Sequence, residues 1–279
     1  MVCWQQVKDT QTRQNAWTRG FCGPPWFSSL TLLFLLLPKI NTMTRLLTAT
    51  LLSIITLSSC WNGIEGVGSA TSEKRALIDF DEIVLDCSAD VNIRQNLIKA
   101  KSSLEVVAQE NLLPYILTKV ENDVLTITIE ESIMSTGKLE VNVTTNGLTR
   151  ISIDGSGDIE SENVLRFEDL RIDHDGSGDV TLDLKGEELD IRHDGSGDIQ
   201  LEGSVDELDV TADGSGDLDA FDLSTKTADV SNDGSGDLNI HVKESLKVTN
   251  DGSGDVNYKG KPDEITQENN GSGAIKDQN

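Results

Sequence analysis

The sequence is poor in aromatic and basic residues, and each shortage excludes something. Its 279 residues include only 4 Trp, 2 Tyr and 6 Phe, and 23 Lys and Arg stand against 48 Asp and Glu, a formal net charge of -25. Because so acidic a surface repels phosphate backbones, nucleic-acid binding through a basic face is excluded. The shortage of aromatic residues predicts a core of thin, repeated aliphatic layers rather than one large globular centre.

Cysteine pairs and enzyme motifs are missing as well. Of the 4 cysteines, Cys3, Cys22 and Cys60 lie near the N-terminus, so a disulfide framework is excluded. Cys87 lies in the strand-like stretch EIVLDCSADV, and we interpret it as a buried structural thiol. The sequence contains no nucleophile elbow, Walker loop, Rossmann fingerprint, HExxH or CxxC motif. These absences favour a protein that is not an enzyme.

The apolar stretches are short and confined to the N-terminus. The stretches at 26–38 and 46–60 are shorter than the roughly 18–20 residues of a membrane span. The second follows Met43-Thr44-Arg45 and ends in Leu57-Ser58-Ser59-Cys60, which resembles the lipobox of bacterial lipoprotein signal peptides. We therefore expect residues 1–42 to be a wrongly assigned upstream extension, 43–60 a signal peptide, Cys60 the lipidated residue and 61–76 a tether. The alternative is an ordinary cleaved signal peptide in which Cys60 is incidental.

A pentapeptide repeat dominates the rest of the chain. DGSGD begins at residues 154, 175, 194, 213, 233 and 251, and a weaker copy, NGSGA, begins at 270. Such a period indicates stacked coils. Aliphatic residues recur three residues before the motif, at Ile151, Ile172, Ile191, Val210, Val230 and Val248. They alternate with polar residues, which predicts two short strands per coil that meet at the motif. The sequence thus predicts an all-β, single-stranded β-helix-like solenoid with coils of about 19 residues.

The stretches before residue 150 alternate as strands but lack the GSG triplet. They include ALIDFDEIVLDCSADVNIRQ, NDVLTITIEE and KLEVNVTT. We expect irregular N-terminal β coils or a cap that protects the edge of the solenoid, which together with the repeat make one domain at 77–279.

The pentapeptide is interpreted first as a corner. Glycine tolerates positive φ and has no side chain, so Gly-Ser-Gly allows a tight turn in every coil. Stacked corners place the acids in two columns. The first contains Asp154, Asp175, Asp194, Asp213, Asp233 and Asp251, and the second contains Asp158, Asp179, Asp198, Asp217, Asp237 and Asp255. The acids are either solvated or a candidate cation site, because bound Ca²⁺ relieves repulsion between like charges.

Two histidines directly precede the motif in adjacent coils. His174 and His193 should stack, and two imidazoles beside carboxylates are candidate Zn²⁺ ligands. The same position is Ala212, Asn232 and Asn250 in later coils, so we interpret it instead as an exposed polar corner position.

Several stretches together resemble a known family. RALIDFDEIVLDCSADVNIRQ, VVAQENLLPYILTKVENDVLTITI and KLEVNVTTNGLTRISIDGSGDI, followed by the reiterated GSGD, resemble the GIN domain, a head domain of autotransporter adhesins. The resemblance covers roughly residues 77–275. It implies a β-helix-like fold and a secreted or surface-anchored location, and it supplies no catalytic or binding residues.

The sequence favours a non-enzymatic lipoprotein of the bacterial cell envelope. We expect an adhesin or surface binding module with a protein or glycan ligand, held at the outer membrane by the lipid and facing either the periplasm or the exterior. One alternative is a carbohydrate-active β-helix enzyme, which requires a groove with non-repeating acids and aromatic residues. The other is a purely structural envelope protein.

Overall fold

The computed structural model describes residues 63–96, 98, 101–134 and 137–279. Within them, the regular structure is almost all strand, with one 3-10 helix at Leu113–Tyr115. The expected upstream extension, signal peptide and lipidated Cys60 lie outside the described residues. No helix of the described part is long and apolar enough to cross a membrane.

The first part of the fold is irregular and partly antiparallel. Strand β2 pairs antiparallel with β5, β5 with β9, and β6 with β7. The strands are β1 (Ile64–Glu65), β2 (Ala70–Arg75), β3 (Glu82–Asp86), β4 (Asp90–Gln95), β5 (Ser103–Gln109), β6 (Ile116–Glu121), β7 (Val124–Ile129), β8 (Ile133–Met134) and β9 (Glu140–Thr145). The expected irregular N-terminal coils are therefore present.

Part of the tether expected at 61–76 is instead strand β2. It pairs with β5 from Ala70 to Arg75, and Arg75 donates hydrogen bonds to the carbonyls of Leu113 and Ile116. As an outer strand it has the polar sequence ATSEKR, whose residues from Ala70 to Lys74 are exposed. The sequence did not predict this strand because its residues do not alternate between apolar and polar.

The rest of the chain is a parallel β-solenoid, as predicted. Each coil contributes one strand before the pentapeptide and one after it, and each strand pairs with its equivalent in the next coil. The strands are β10 (Arg150–Ile153), β11 (Ile159–Ser161), β12 (Leu165–Arg166), β13 (Asp169–His174), β14 (Val180–Lys185), β15 (Glu188–His193), β16 (Ile199–Ser204), β17 (Glu207–Ala212), β18 (Leu218–Asn232), β19 (Leu238–Asn250), β20 (Val256–Lys259), β21 (Glu264–Asn269) and β22 (Ile275–Asp277). In β18 and β19 the strand after one pentapeptide continues unbroken to the next.

The order of the first coils in the stack differs from their order in the chain. Strand β3 pairs with β7 on one side and β10 on the other, although β7 follows β3 in sequence. Strand β4 likewise lies between β9 and β11. The chain therefore doubles back here, and strands stack in chain order only from β10 onwards. We call the part of the stack that runs from β7 through β3 and β10 to β13 the seam.

The core consists of the predicted aliphatic columns. Ile151 is in register with Ile172, Ile172 with Ile191, and the column continues through Val210, Val230 and Val248. All of these side chains are buried, as are Ile83 of β3 and Leu125 of β7, which extend the column beyond Ile151. Since a single coil has no second layer to cover these residues, the hydrophobic stabilisation comes from stacking.

Candidate ligand-binding cleft and the repeated corner

The glycines of the pentapeptide lie where the backbones of neighbouring coils almost touch. A Cβ atom on Gly178 would lie 2.0 Å from the Gly157 carbonyl oxygen, and one on Gly197 would lie 2.1 Å from that of Gly178. The described glycines with positive φ, Gly68, Gly203 and Gly260, are outside the motif. Of the two properties of glycine named above, the corner therefore needs the missing side chain, which allows close approach, rather than positive φ.

The stack of corners begins with a divergent copy of the pentapeptide that the sequence pattern did not predict. Residues 86–90, DCSAD, connect β3 to β4, and the Cys87 carbonyl accepts a hydrogen bond from Ser156 of the first DGSGD. A Cβ on Gly155 would lie 2.0 Å from that carbonyl. Each motif glycine is thus confined by the preceding corner, whereas the sequence between β7 and β9, which precede β3 and β4 in the stack, contains no DGSGD-like motif. Cys87 and Ala89 can accordingly carry side chains.

Among the described residues, the half-buried Cys87 has no disulfide partner. Burial raises the pKa of its thiol, with smaller contributions from nearby acids. A thiol with a raised pKa is a weak nucleophile at neutral pH, which agrees with a structural role.

The second aspartate column is built into the corner. The Asp158 Oδ1 accepts a hydrogen bond of 2.8 Å from the backbone N–H of Asp179, and Asp179, Asp198, Asp217 and Asp237 repeat this contact at 2.7–2.9 Å. Asp255 accepts from Ala274 of the weak last copy. Ala274 belongs to the last described coil. No described strand follows this coil in the stack, so there is no further backbone N–H for a carboxylate at position 274 to accept from.

The first aspartate column is the freer of the two. Asp194 pairs with Arg192, whereas no ion pair or side-chain hydrogen bond joins Asp175, Asp213, Asp233 or Asp251 to other described residues. Burial, followed by the charges of Asp175 and Asp86, raises the pKa of Asp154. Across residues 63–279, leaving out the few undescribed positions, no three His, Cys, Asp or Glu side chains are arranged to hold a metal ion. The two interpretations of the columns, solvated acids and a Ca²⁺ site, both stay predictions, and we favour the first.

The two histidines are inside the solenoid, so the expectation of an exposed corner position was wrong. Both are 0% exposed, with ring centroids 4.9 Å apart at 76°. The His174 Nε2 bonds the Gly178 carbonyl at 2.7 Å, while its Nδ1 and both nitrogens of His193 have no hydrogen-bond partner among the described residues. Burial, and next the neighbouring His174, lower the pKa of His193. The described residues bring no third ligand to a zinc ion here.

Asparagines replace the histidines in later coils and show what the position does. The Asn250 Oδ1 accepts from the Gly252 N–H, and its Nδ2 donates to the Gly254 carbonyl. Asn232 makes the same first contact with Gly234. This inner column therefore holds the pentapeptide from within the core, and a polar residue directly before DGSG was the available sign of it.

A cleft of about 650 Å³ lies at the other ends of the strands that lead into the corners. Its walls are the segments that precede β3, β7, β10 and β13, together with Gln95. They stack through backbone bonds: Asp81 N–H donates to the Asp123 carbonyl, and Thr149 N–H donates to that of Asp81. Because these four segments belong to the seam, their lengths and sequences differ and they do not close into a uniform surface.

The inner wall of the cleft is held rigidly. Gln95 is 7% exposed, and its side-chain amide donates to the carbonyls of Asn146 and Arg166 while its oxygen accepts from the Arg166 N–H. The half-buried Phe167 lies against Gly186 of the next coil, where a Cβ would come 2.1 Å from the ring. Glycine at 186 thus leaves room for the aromatic side chain, and the wall is pre-organised for a ligand.

Five carboxylates and one guanidinium surround this aromatic wall. The Asp79 Oδ1 accepts hydrogen bonds from the Ser102 backbone and hydroxyl. The other charged residues are Asp81, Asp123, Glu168, Asp169 and Arg166. None of the six forms an ion pair in the described structure. The residues come from distant parts of the sequence, so no local pattern could have predicted their meeting.

The chain was compared with known proteins. Residues 79–262 match the family described as "Putative auto-transporter adhesin, head GIN domain". No curated protein matches the sequence. A solved "putative adhesin" from Bacteroides fragilis NCTC 9343 is 26% identical, with a TM-score of 0.73 over 77% of this chain and 100% of that chain. A solved "putative lipid binding protein" from Parabacteroides distasonis ATCC 8503 is also 26% identical, with a TM-score of 0.61 over 78% of this chain and 100% of that one.

The family match confirms the resemblance, and it spans both the seam and six of the seven repeated corners. The chain belongs to the GIN head-domain family of auto-transporter adhesins.

Proposed function

We propose that this chain is a non-enzymatic adhesion module of the bacterial cell envelope that binds its ligand in the cleft at the seam. The cleft carries the proposal, because it is a concave surface of non-repeating residues on a scaffold whose other corners repeat. Its volume is within the ~300–1,000 Å³ range of small-ligand sites. Membership of an adhesin family supports the same function.

Adhesion is tested with beads that carry the purified full chain, washed under shear flow over layers of bacterial and epithelial cells. Matched beads carry the same protein unfolded by heat. We expect the folded protein alone to retain beads on at least one of the two layers. Equal retention of both bead types would contradict the proposal.

The proposed anchor is a lipid on Cys60. The lipobox-like residues 57–60 and the short apolar stretch before them support it. Cells that express the chain and are fed a labelled fatty acid should yield labelled protein in the outer-membrane fraction. C60A should lose both the label and the membrane association, whereas C87A should keep them. Label retained by C60A would reject the anchor.

A carbohydrate-active enzyme is the second candidate, since the cleft supplies the groove of non-repeating acids and aromatic residues that this alternative requires. Glycoside hydrolysis uses two carboxylates, and five line this cleft. Incubation with neutral and acidic glycans, followed by an assay for new reducing ends, decides between the two. We expect no turnover, and any turnover abolished by E168Q or D169N would establish the enzyme.

The lipid-binding name of the Parabacteroides distasonis neighbour suggests a different ligand class. The carboxylates around the cleft argue against a fatty-acyl ligand here, because burying them against an acyl chain would cost their hydration.

A further inference from the structure

The aromatic wall of the cleft is suited to a ligand with a flat apolar face. Phe167 is held against Gly186, so that its ring needs no reordering on binding. Phe80 and Leu148 extend the apolar surface behind it and are buried. An aromatic side chain that is already fixed loses little conformational entropy when a ligand packs on it.

The five carboxylates and Arg166 together form a charged rim around the cleft, and this rim narrows the ligand class further. Five carboxylates repel an anionic ligand, which excludes sialylated or uronic sugars and phosphates. Arg166 lies among these carboxylates without an ion-pair partner in the described residues, and a lysine ammonium, which has no acceptor, cannot bond its guanidinium. The rim thus offers strong acceptors and a strong donor side by side. Hydroxyl groups, which both donate and accept, are complementary to such a mixture.

We propose that the cleft binds a neutral oligosaccharide. The C–H face of one sugar ring packs on Phe167, and its hydroxyls bond the carboxylates of Glu168 and Asp169 and the guanidinium of Arg166. This inference rests on the proposed adhesive function and names its ligand class.

The test presents the detergent-solubilised full chain to one surface that carries neutral oligosaccharides, sialylated and uronic oligosaccharides, and lysine-rich peptides. We expect binding to neutral oligosaccharides alone. F167L keeps apolar packing against Gly186 but loses the flat ring, and it should weaken binding about tenfold. F221L, a matched change on a different coil, should bind within twofold of the parent.

The rim is tested with E168Q and D169N, which keep side-chain size and remove the charged acceptor. Each should weaken binding about tenfold, while E187Q in the next coil should have no effect. The melting temperatures of all variants are measured alongside, so that a loss of fold is recognised.

Each other outcome overturns the inference. Binding of lysine-rich peptides in place of sugars would make the ligand a basic peptide. Sugar binding that F167L and the rim variants leave unchanged would place the site elsewhere. If no probe binds while coated beads still adhere to cells, the sugar inference fails and the adhesive function stands. If the beads do not adhere either, the proposed function fails as well.

Discussion

At the residue scale, the requirements of the corner explain which copies of the pentapeptide depart from DGSGD. Glycine is needed wherever another corner lies before it in the stack, because its Cβ position meets the preceding carbonyl. The second aspartate is needed wherever another coil follows, because it accepts that coil's N–H. The first copy, DCSAD, accordingly relaxes the glycines, and the last copy, NGSGA, relaxes the aspartate.

We predict that G197A strongly destabilises the fold. The new Cβ would lie 2.1 Å from the Gly178 carbonyl, so two coils must separate. The expected loss in the free energy of unfolding is about 3 kcal/mol or more. The exposed Ser196 beside it provides the control, since S196A should change stability by less than about 0.5 kcal/mol. Urea denaturation measures both, and equal effects would refute the close-approach explanation.

The two aspartate columns should respond differently to substitution. D198A removes the acceptor for the Asp217 N–H and should cost about 1 kcal/mol, whereas D198N retains an oxygen acceptor and should cost less. D213A in the first column removes no hydrogen bond of the described structure and should leave stability unchanged or slightly raised. A D213A variant less stable than D198A would contradict this assignment.

At the scale of the strand, β13 and β15 place a histidine pair in the core, which makes stability depend on pH. The pKa of His193 is lowered in the folded chain, while the unfolded chain retains about 6.5. Below about pH 6.5 the unfolded state therefore binds a proton that the folded state resists, so stability falls as the pH falls from there towards the folded pKa.

Melts of the wild-type chain and H193N at pH 5–8 measure this effect. Asparagine occupies the same column at Asn232 and Asn250, so it should fit at 193. H193N should reduce the pH dependence of the unfolding free energy by up to about 1.4 kcal/mol per pH unit in this window. Identical pH profiles would show that His193 does not titrate on unfolding.

The sequence predicted elements well where each coil repeats its neighbour. Period-two alternation identified the strands and aliphatic columns of β10–β22, because stacking demands the same residue type at each level. It failed for β2, a polar outer strand, and for the depth of His174 and His193, because a polar residue in the core is explained only by the carbonyls it meets. The cleft was beyond prediction, since it depends on β3 being inserted between β7 and β10.

At the scale of the whole molecule, a net charge of -25 should make stability depend on salt. About 0.15 M NaCl shortens the Debye length to about 8 Å and screens the repulsion between like charges, so the melting temperature should rise. CaCl₂ at equal ionic strength should give the same rise, and a chelator should give no shift in dilute buffer. A specific rise with Ca²⁺, reversed by the chelator, would instead establish a calcium site on the aspartate columns.

The central claim assigns ligand binding to the seam and a scaffold role to the repeat. Two double variants of equal charge test it directly in the bead assay under shear flow: E168Q/D169N at the cleft and D213N/D233N in the first aspartate column. The account predicts that the cleft variant loses most adhesion and that the column variant adheres like the wild-type chain, with both folded. Adhesion lost by the column variant and kept by the cleft variant would contradict it.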